Sequence, residues 1–285
     1  MRQDHQKKNI LLLALTALIW GVAFVAQSVG MEYVGPFTFN SVRFLIGGLV
    51  LLPMVYGTRW NRDLILGGLL CGLALCAASC LQQIGISYTT VGKAGFITAM
   101  YIVIVPVLSM MLGKKTGWLV WVSVALAAVG LYFLCMTEEL SVGRGDLYVL
   151  ACALVFSLHI LLVDHFSPKV DGVALSCIQF LVSGVIAGVA ALIWEQPNLT
   201  TVISAWAPIL YAGVLSSGVG YTFQVIGQKG VDPTVASLIL SLESVFSVLA
   251  GWILLQESLS GRELVGCVLM AVSIILAQLP VPKHR

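Results

Sequence analysis

Glu243 is the only charged residue in the apolar run from Thr234 to Leu255. An ionisable group at membrane depth is costly unless it is paired or reached by water. Two kinds of chemistry suit it there. One is exchange of a proton or contact with a substrate amine; the other is a structural carboxyl bonded to a neighbouring helix. Gln82, Gln83 and Gln224 lie near the ends of two other apolar runs. Each amide offers two donors and an acceptor, which suits a polar or zwitterionic ligand, although amides also tie membrane helices together. His159 is a lone histidine in a further run. It could relay protons, but no metal ligand stands at helical spacing from it. Trp20, Tyr88, Tyr101 and Tyr221 could wall an apolar substrate body. Arg43 reads as a structural cation that pairs with a carboxylate or reaches water. Lys93 could snorkel to the interface or attract an anionic group.

Such residues need elements to carry them, and composition says which. Of 285 residues, 59% are hydrophobic and 10% charged, against about 25% charged in an average soluble domain. A water-facing surface cannot be built from this inventory; a lipid-facing one can. A formal net charge of +2, with no basic stripe, gives no footprint for nucleic acid. A helix needs about 20 apolar residues to cross a bilayer. Ten runs qualify: 10–29, 37–56, 64–86, 92–112, 118–136, 147–163, 173–194, 206–227, 234–255 and 264–279. None alternates as barrel strands do. The first run imitates a signal peptide but is too long for one, and it reads as an uncleaved span.

Charge placement sets the expected orientation. With the N-terminus inside, 11 of the 15 lysines and arginines face the cytoplasm, among them Arg59, Lys114, Lys115, Lys169, Lys229, Lys283 and Arg285. Both termini are then cytoplasmic. Ser260 to Glu263 has the form of a capping box for the tenth span. Trp60, Trp118, Trp194 and Trp206 near run ends read as interfacial anchors. Gly68-x-x-x-Gly72 and Gly184-x-x-x-Gly188 permit close helix approach. The seven cysteines all fall in apolar runs, where packing is their ordinary use. With no CxxC pair, neither a disulfide framework nor a zinc site is expected.

The second half echoes the first. An offset of 136 brings Phe44-Leu45 onto Phe180-Leu181 and Gly48 onto Gly184. An offset of 142 brings Gln82 onto Gln224, Gly85 onto Gly227 and Tyr101 onto Glu243. A repeat of five spans, an odd number, inserts its second copy upside down. Inverted copies supply two related conformations, each open to one face.

The stretch Ala236 to Phe246, followed by Gly251-Trp252 and Gln256-Glu257-Ser-Leu-Ser, resembles the C-terminal signature of EamA-type transporters of the drug/metabolite transporter superfamily. Leu18-Ile19-Trp20-Gly21, Arg43-Phe44 and Pro106 fit as well, so the resemblance covers both halves. It departs at Ser244, where many relatives carry proline. It implies an all-α integral membrane fold: ten transmembrane helices as two inverted five-helix repeats, 1–139 and 140–285, around a central cavity. It also tilts Trp20 towards that cavity.

The expected function is a secondary transporter that moves an amino acid or related small metabolite, as an exporter, across the bacterial cytoplasmic membrane by alternating access. The expected cavity residues are Trp20, Gln82, Gln83, Tyr101, His159, Tyr221, Gln224 and Glu243. No catalytic residue, metal or cofactor is expected. The partners are a small-molecule substrate and the lipid bilayer, with protons and a second copy in a homodimer left to be tested. An intramembrane enzyme would need a nucleophile or metal constellation at depth, and neither HExxH nor GxSxG occurs. Asp164-His165 reads as a solvated turn. A channel would favour charge rings or repeated carbonyl filters, and neither is visible. The chain has no phosphate-binding loop to drive a pump.

Overall fold

Within hydrocarbon a backbone must satisfy its own polar groups, and these runs do so as helices. The computed structural model describes residues 2–89, 91–114, 117–135, 143–254 and 260–277, with no strand among them. Gln256, Glu257, Lys115, Lys283 and Arg285, and the side chains of Lys93 and Cys135, lie outside the described residues. The first three runs form α1 (Arg2–Gly30), α2 (Pro36–Leu51) and α3 (Arg62–Ile86). The fourth is split into α4 (Val91–Ala99) and α5 (Tyr101–Met111), and the fifth is α6 (Trp118–Cys135). Then come α7 (Arg144–Phe166) and α8 (Gly172–Trp194). The short α9 (Leu199–Ser204) precedes α10 (Trp206–Leu210), a π-helical segment Tyr211–Tyr221 and α11 (Thr222–Gly227). The ninth run is split into α12 (Pro233–Leu240) and α13 (Leu242–Leu254), and α14 is Gly261–Ala277. Among the described residues, eight stretches are long and apolar enough to cross a membrane. The fifth and tenth runs are helical but stand outside those eight.

Side chains close the helix starts. Asn61, Asp171 and Asp232 accept from backbone N–H groups of Leu64, Ala174 and Thr234. The Ser260–Glu263 capping box is formed, with Glu263 Oε2 2.7 Å from Ser260 N and Ser260 Oγ 3.2 Å from Glu263 N. The start of α2 is closed from outside its own chain segment. Glu195, just past α8, accepts from Phe37 N, Thr38 N and Thr38 Oγ1 at 2.8, 2.7 and 2.7 Å.

The break in the ninth run has a local cause. In the ninth run Ser237, Ser241 and Ser247 donate their hydroxyls to carbonyls three residues back. This back-bonding bends a helix, and the break falls at Ser241. In the fourth run the break is at Met100, and Pro106 lies inside α5, where its missing N–H leaves the carbonyl of Ile102 without a helical donor.

α2 packs most extensively on α8, α3 on α7, and α6 on α14. Glycines decide how closely. A Cβ on Gly48 would lie 2.7 Å from Leu181, and one on Gly184 would lie 2.8 Å from Leu45. Gly188 meets Ser41 in the same way, so α2 and α8 run antiparallel. Phe44 stacks on Phe180 in this seam, 6.2 Å between ring centroids and 12° from parallel. Gly68 and Gly72 receive Ile178 and Val182 of α8. Lys114 and Asp164 form an ion pair where the sequence suggested only a solvated turn. Trp60, Trp118, Trp194 and Trp206 are each more than 60% exposed, as interfacial anchors require.

Candidate functional site

The split helices bring their broken ends to one place. Tyr101 opens α5 and Glu243 stands in the first turn of α13. Tyr101 Oη donates to Glu243 Oε1 at 2.9 Å, and both side chains are buried. A helix break exposes backbone polarity, so polar groups gather beside it at little extra desolvation cost. Around this pair lies a cavity of about 30 Å³. Its polar lining comprises Gln27 of α1, Arg43 of α2, Gln82 of α3, Thr98 of α4, Ser216 of the π segment and Gln224 of α11, with Tyr101 and Glu243 themselves. Its apolar lining comprises Trp20, Phe24, Phe156, Ile160, Tyr221 and Leu240.

The π segment positions one wall. Side chains of α1 reach two of its carbonyls. Trp20 Nε1 donates to Ser216 O at 3.3 Å, and Thr16 Oγ1 lies between Leu12 O of its own helix at 2.9 Å and Gly220 O at 3.1 Å. A Cβ on Gly220 would fall 2.8 Å from Trp20 Nε1, so only glycine admits the indole there. The indole then packs against Tyr221, 4.4 Å between centroids and tilted by 52°. A second network runs through Gln27. Its carbonyl accepts from Gln83 Nε2 at 3.2 Å, and its side-chain oxygen accepts from Arg43 Nη1 at 3.3 Å. Gln82 Nε2 donates to Thr98 Oγ1 at 3.3 Å, which joins α3 to α4.

Six of the eight residues singled out in the sequence line this one cavity: Trp20, Gln82, Tyr101, Tyr221, Gln224 and Glu243. Gln83 and His159 do not; both are fully buried behind the lining. Gln83 is taken up by Gln27, and His159 lies 3.0 Å from Gln179 Oε1 with its ring edge on Tyr221. Tyr88 is 70% exposed and away from the cavity. Arg43 corrects an expectation. It pairs with no carboxylate among the described residues and is 1% exposed. Gln27 and Thr98 were missed; each is a lone polar residue one or two turns from Trp20 or Tyr101, which is a signal that helical spacing offers. Ser216 carried no such signal, because it enters through the π turn.

A cavity of 30 Å³ holds water but no metabolite, since ligand pockets occupy roughly 300–1,000 Å³. The arrangement is a narrow one, with polar groups from both halves of the chain converging on its centre. Among the described residues no cluster of three or more His, Cys, Asp or Glu side chains is placed to hold a metal.

Comparison with known proteins adds a family. The sequence pattern of the EamA-like transporter family matches the chain twice, at residues 7–136 and 143–279. An uncharacterized transporter of Archaeoglobus fulgidus is 33% identical over 275 residues, covering 94% of this chain and 85% of the relative. The uncharacterized transporter YoaV of Bacillus subtilis is 24% identical, covering 94% and 96%. The uncharacterized inner membrane transporter YedA of Escherichia coli is also 24% identical, covering 92% and 88%. A protein of known crystal structure, 18% identical, shares the fold with a TM-score of 0.79 over 94% of this chain and 95% of its own.

Proposed function

The chain belongs to the EamA-like transporter family and is a membrane transporter, not an enzyme; from that premise we propose that it exports an amino acid or related small organic compound by alternating access. Ten helices cross the bacterial cytoplasmic membrane with both termini inside. They form two inverted repeats, 1–139 and 140–285, and substrate binds between them near mid-bilayer. The observation that carries this reading is the Tyr101–Glu243 hydrogen bond in the cavity lining. The two residues are repeat mates at the offset of 142, one from each half. Mates touch each other only close to the axis that relates their copies.

Other contacts support the same axis. Gly48 packs on Leu181 while Leu45 packs on Gly184, and these are mates at the offset of 136. Such reciprocal exchange is what a two-fold relation produces, and the antiparallel course of α2 and α8 is what inversion requires. The family pattern matching twice supports duplication. Two further seams are also mates. A Cβ on Gly227 would fall 3.0 Å from Leu13, and one on Gly85 would fall 2.4 Å from Val149. Both seams are shut, which fits the small cavity. Rocking would separate the two seams in alternation, opening the centre to each face in turn.

The energy source is the substrate gradient or exchange for protons, and in the second case Glu243 would carry the proton. Uptake of each proteinogenic amino acid into proteoliposomes, with and without an imposed pH gradient, tests both. A substrate should accumulate, and Glu243→Gln should abolish any response to the pH gradient. Uptake equal to that of empty liposomes for every compound would end the amino-acid reading. An unchanged gradient response in Glu243→Gln would remove that residue from coupling.

A further inference from the structure

A buried guanidinium with no counter-ion among the described residues demands an explanation, because an unpaired charge in a low-dielectric interior is strongly disfavoured. Arg43 lines the cavity and is 1% exposed. Its Nη1 donates to Gln27 Oε1, and its plane lies over Phe44 with Cζ 4.5 Å from the ring centroid. Phe39 lies 5.8 Å away. These contacts hold the head group in place yet leave Nε and Nη2 with no hydrogen-bond partner. Those two nitrogens form one edge of the guanidinium. Their N–H bonds run parallel, at the spacing by which a carboxylate is held in a bidentate pair.

We propose that Arg43 is the anchor for a substrate carboxylate, so that the cavity selects compounds bearing an anionic group and rejects the corresponding amines. The inference rests on the carrier reading above and adds the charge class of the substrate. Gln27 acts through Arg43 as a positioning residue: its side-chain oxygen fixes which edge of the guanidinium stays open. Gln224 Oε1, also without a partner in the same lining, offers an acceptor to a polar hydrogen of the same ligand. Arg43 differs from the other buried groups without a partner in carrying a full charge while lining the cavity. Here the satisfied nitrogen orients the head group, and the unsatisfied pair forms the fork.

The test uses matched triplets in proteoliposomes: each proteinogenic amino acid, its decarboxylated amine and its deaminated acid. The parent protein should take up amino acids or acids in preference to the amines. Arg43→Gln should lower the carboxylate-to-amine uptake ratio by about tenfold or more, the effect of losing a bidentate charge-assisted pair. Arg43→Lys, which keeps the charge and loses the fork, should fall between the two. The melting temperature of purified Arg43→Gln should not drop, since an unpaired buried charge is being removed. Amines carried as well as carboxylates by the parent would overturn the anchor and leave the carrier reading standing. An unchanged ratio in both variants would do the same. A lowered melting temperature with uptake of every compound lost alike would make Arg43 a structural cation. Failure of the parent to move any compound of the panel would overturn both readings.

Discussion

Tyr101 and Glu243 each satisfy the other, and this reciprocity makes Tyr101→Phe informative. The substitution keeps the ring in its packed place and deletes one donor from a buried carboxyl group. Leaving that oxygen bare should cost about 1–2 kcal/mol, towards the low end because hydrogen bonds between membrane helices are modest. Thermal unfolding in detergent reads the loss, and an unchanged melting temperature would mean that the bond contributes nothing to holding α5 against α13. This pair is legible in the sequence through the repeat: the offset of 142 sets Tyr101 opposite Glu243 without knowledge of any contact. Arg43 shows the reverse. Its charge is plain in the sequence, but whether it finds a partner depends on which faces of α1, α2 and α3 meet. No spacing within the second run encodes that meeting. His159 likewise stands out by its rarity, yet its neighbour is Gln179 of α8, a pairing set by tertiary contact.

At the scale of elements, the start of α2 is held by a carboxylate belonging to the end of α8. Glu195 accepts three hydrogen bonds there, two from backbone amides that the first helical turn leaves open. A negative charge at a helix N-terminus also meets the positive end of the helix dipole. Glu195→Ala should therefore cost about 1–2 kcal/mol, read as a lower melting temperature. Glu195→Gln should cost less, because an amide oxygen still accepts. Equal losses in the two variants would count against any contribution from charge. Length and apolarity make all ten runs legible as helices, because hydrocarbon leaves the backbone no other open form. The break at Ser241 is not legible, for a physical reason. Serine is an ordinary residue in membrane helices, and only the direction of its hydroxyl, here to the carbonyl three residues back, decides whether it bends the helix.

For the whole molecule, the two shut seams make a prediction that neither half could make alone. If the halves rock about a shared axis, the seam of Gly227 with Leu13 and that of Gly85 with Val149 must open at different stages of one cycle. Locking either should then arrest transport, although each lock leaves the other seam free to move. The contact of Leu45 with Gly184 lies in the seam where α2 and α8 exchange like residues, close to the proposed axis, so relative displacement there is least. Cysteine pairs can be placed at all three in a background freed of the native thiols: Leu13→Cys with Gly227→Cys, Gly85→Cys with Val149→Cys, and Leu45→Cys with Gly184→Cys. Oxidation should reduce proteoliposome uptake to background in the first two, with recovery on reduction, and leave the third near its reduced rate. A carrier that kept working with either end seam locked would not be rocking about this axis. The third pair then separates a loss of motion from a general effect of cross-linking, since all three bridges join the first half of the chain to the second.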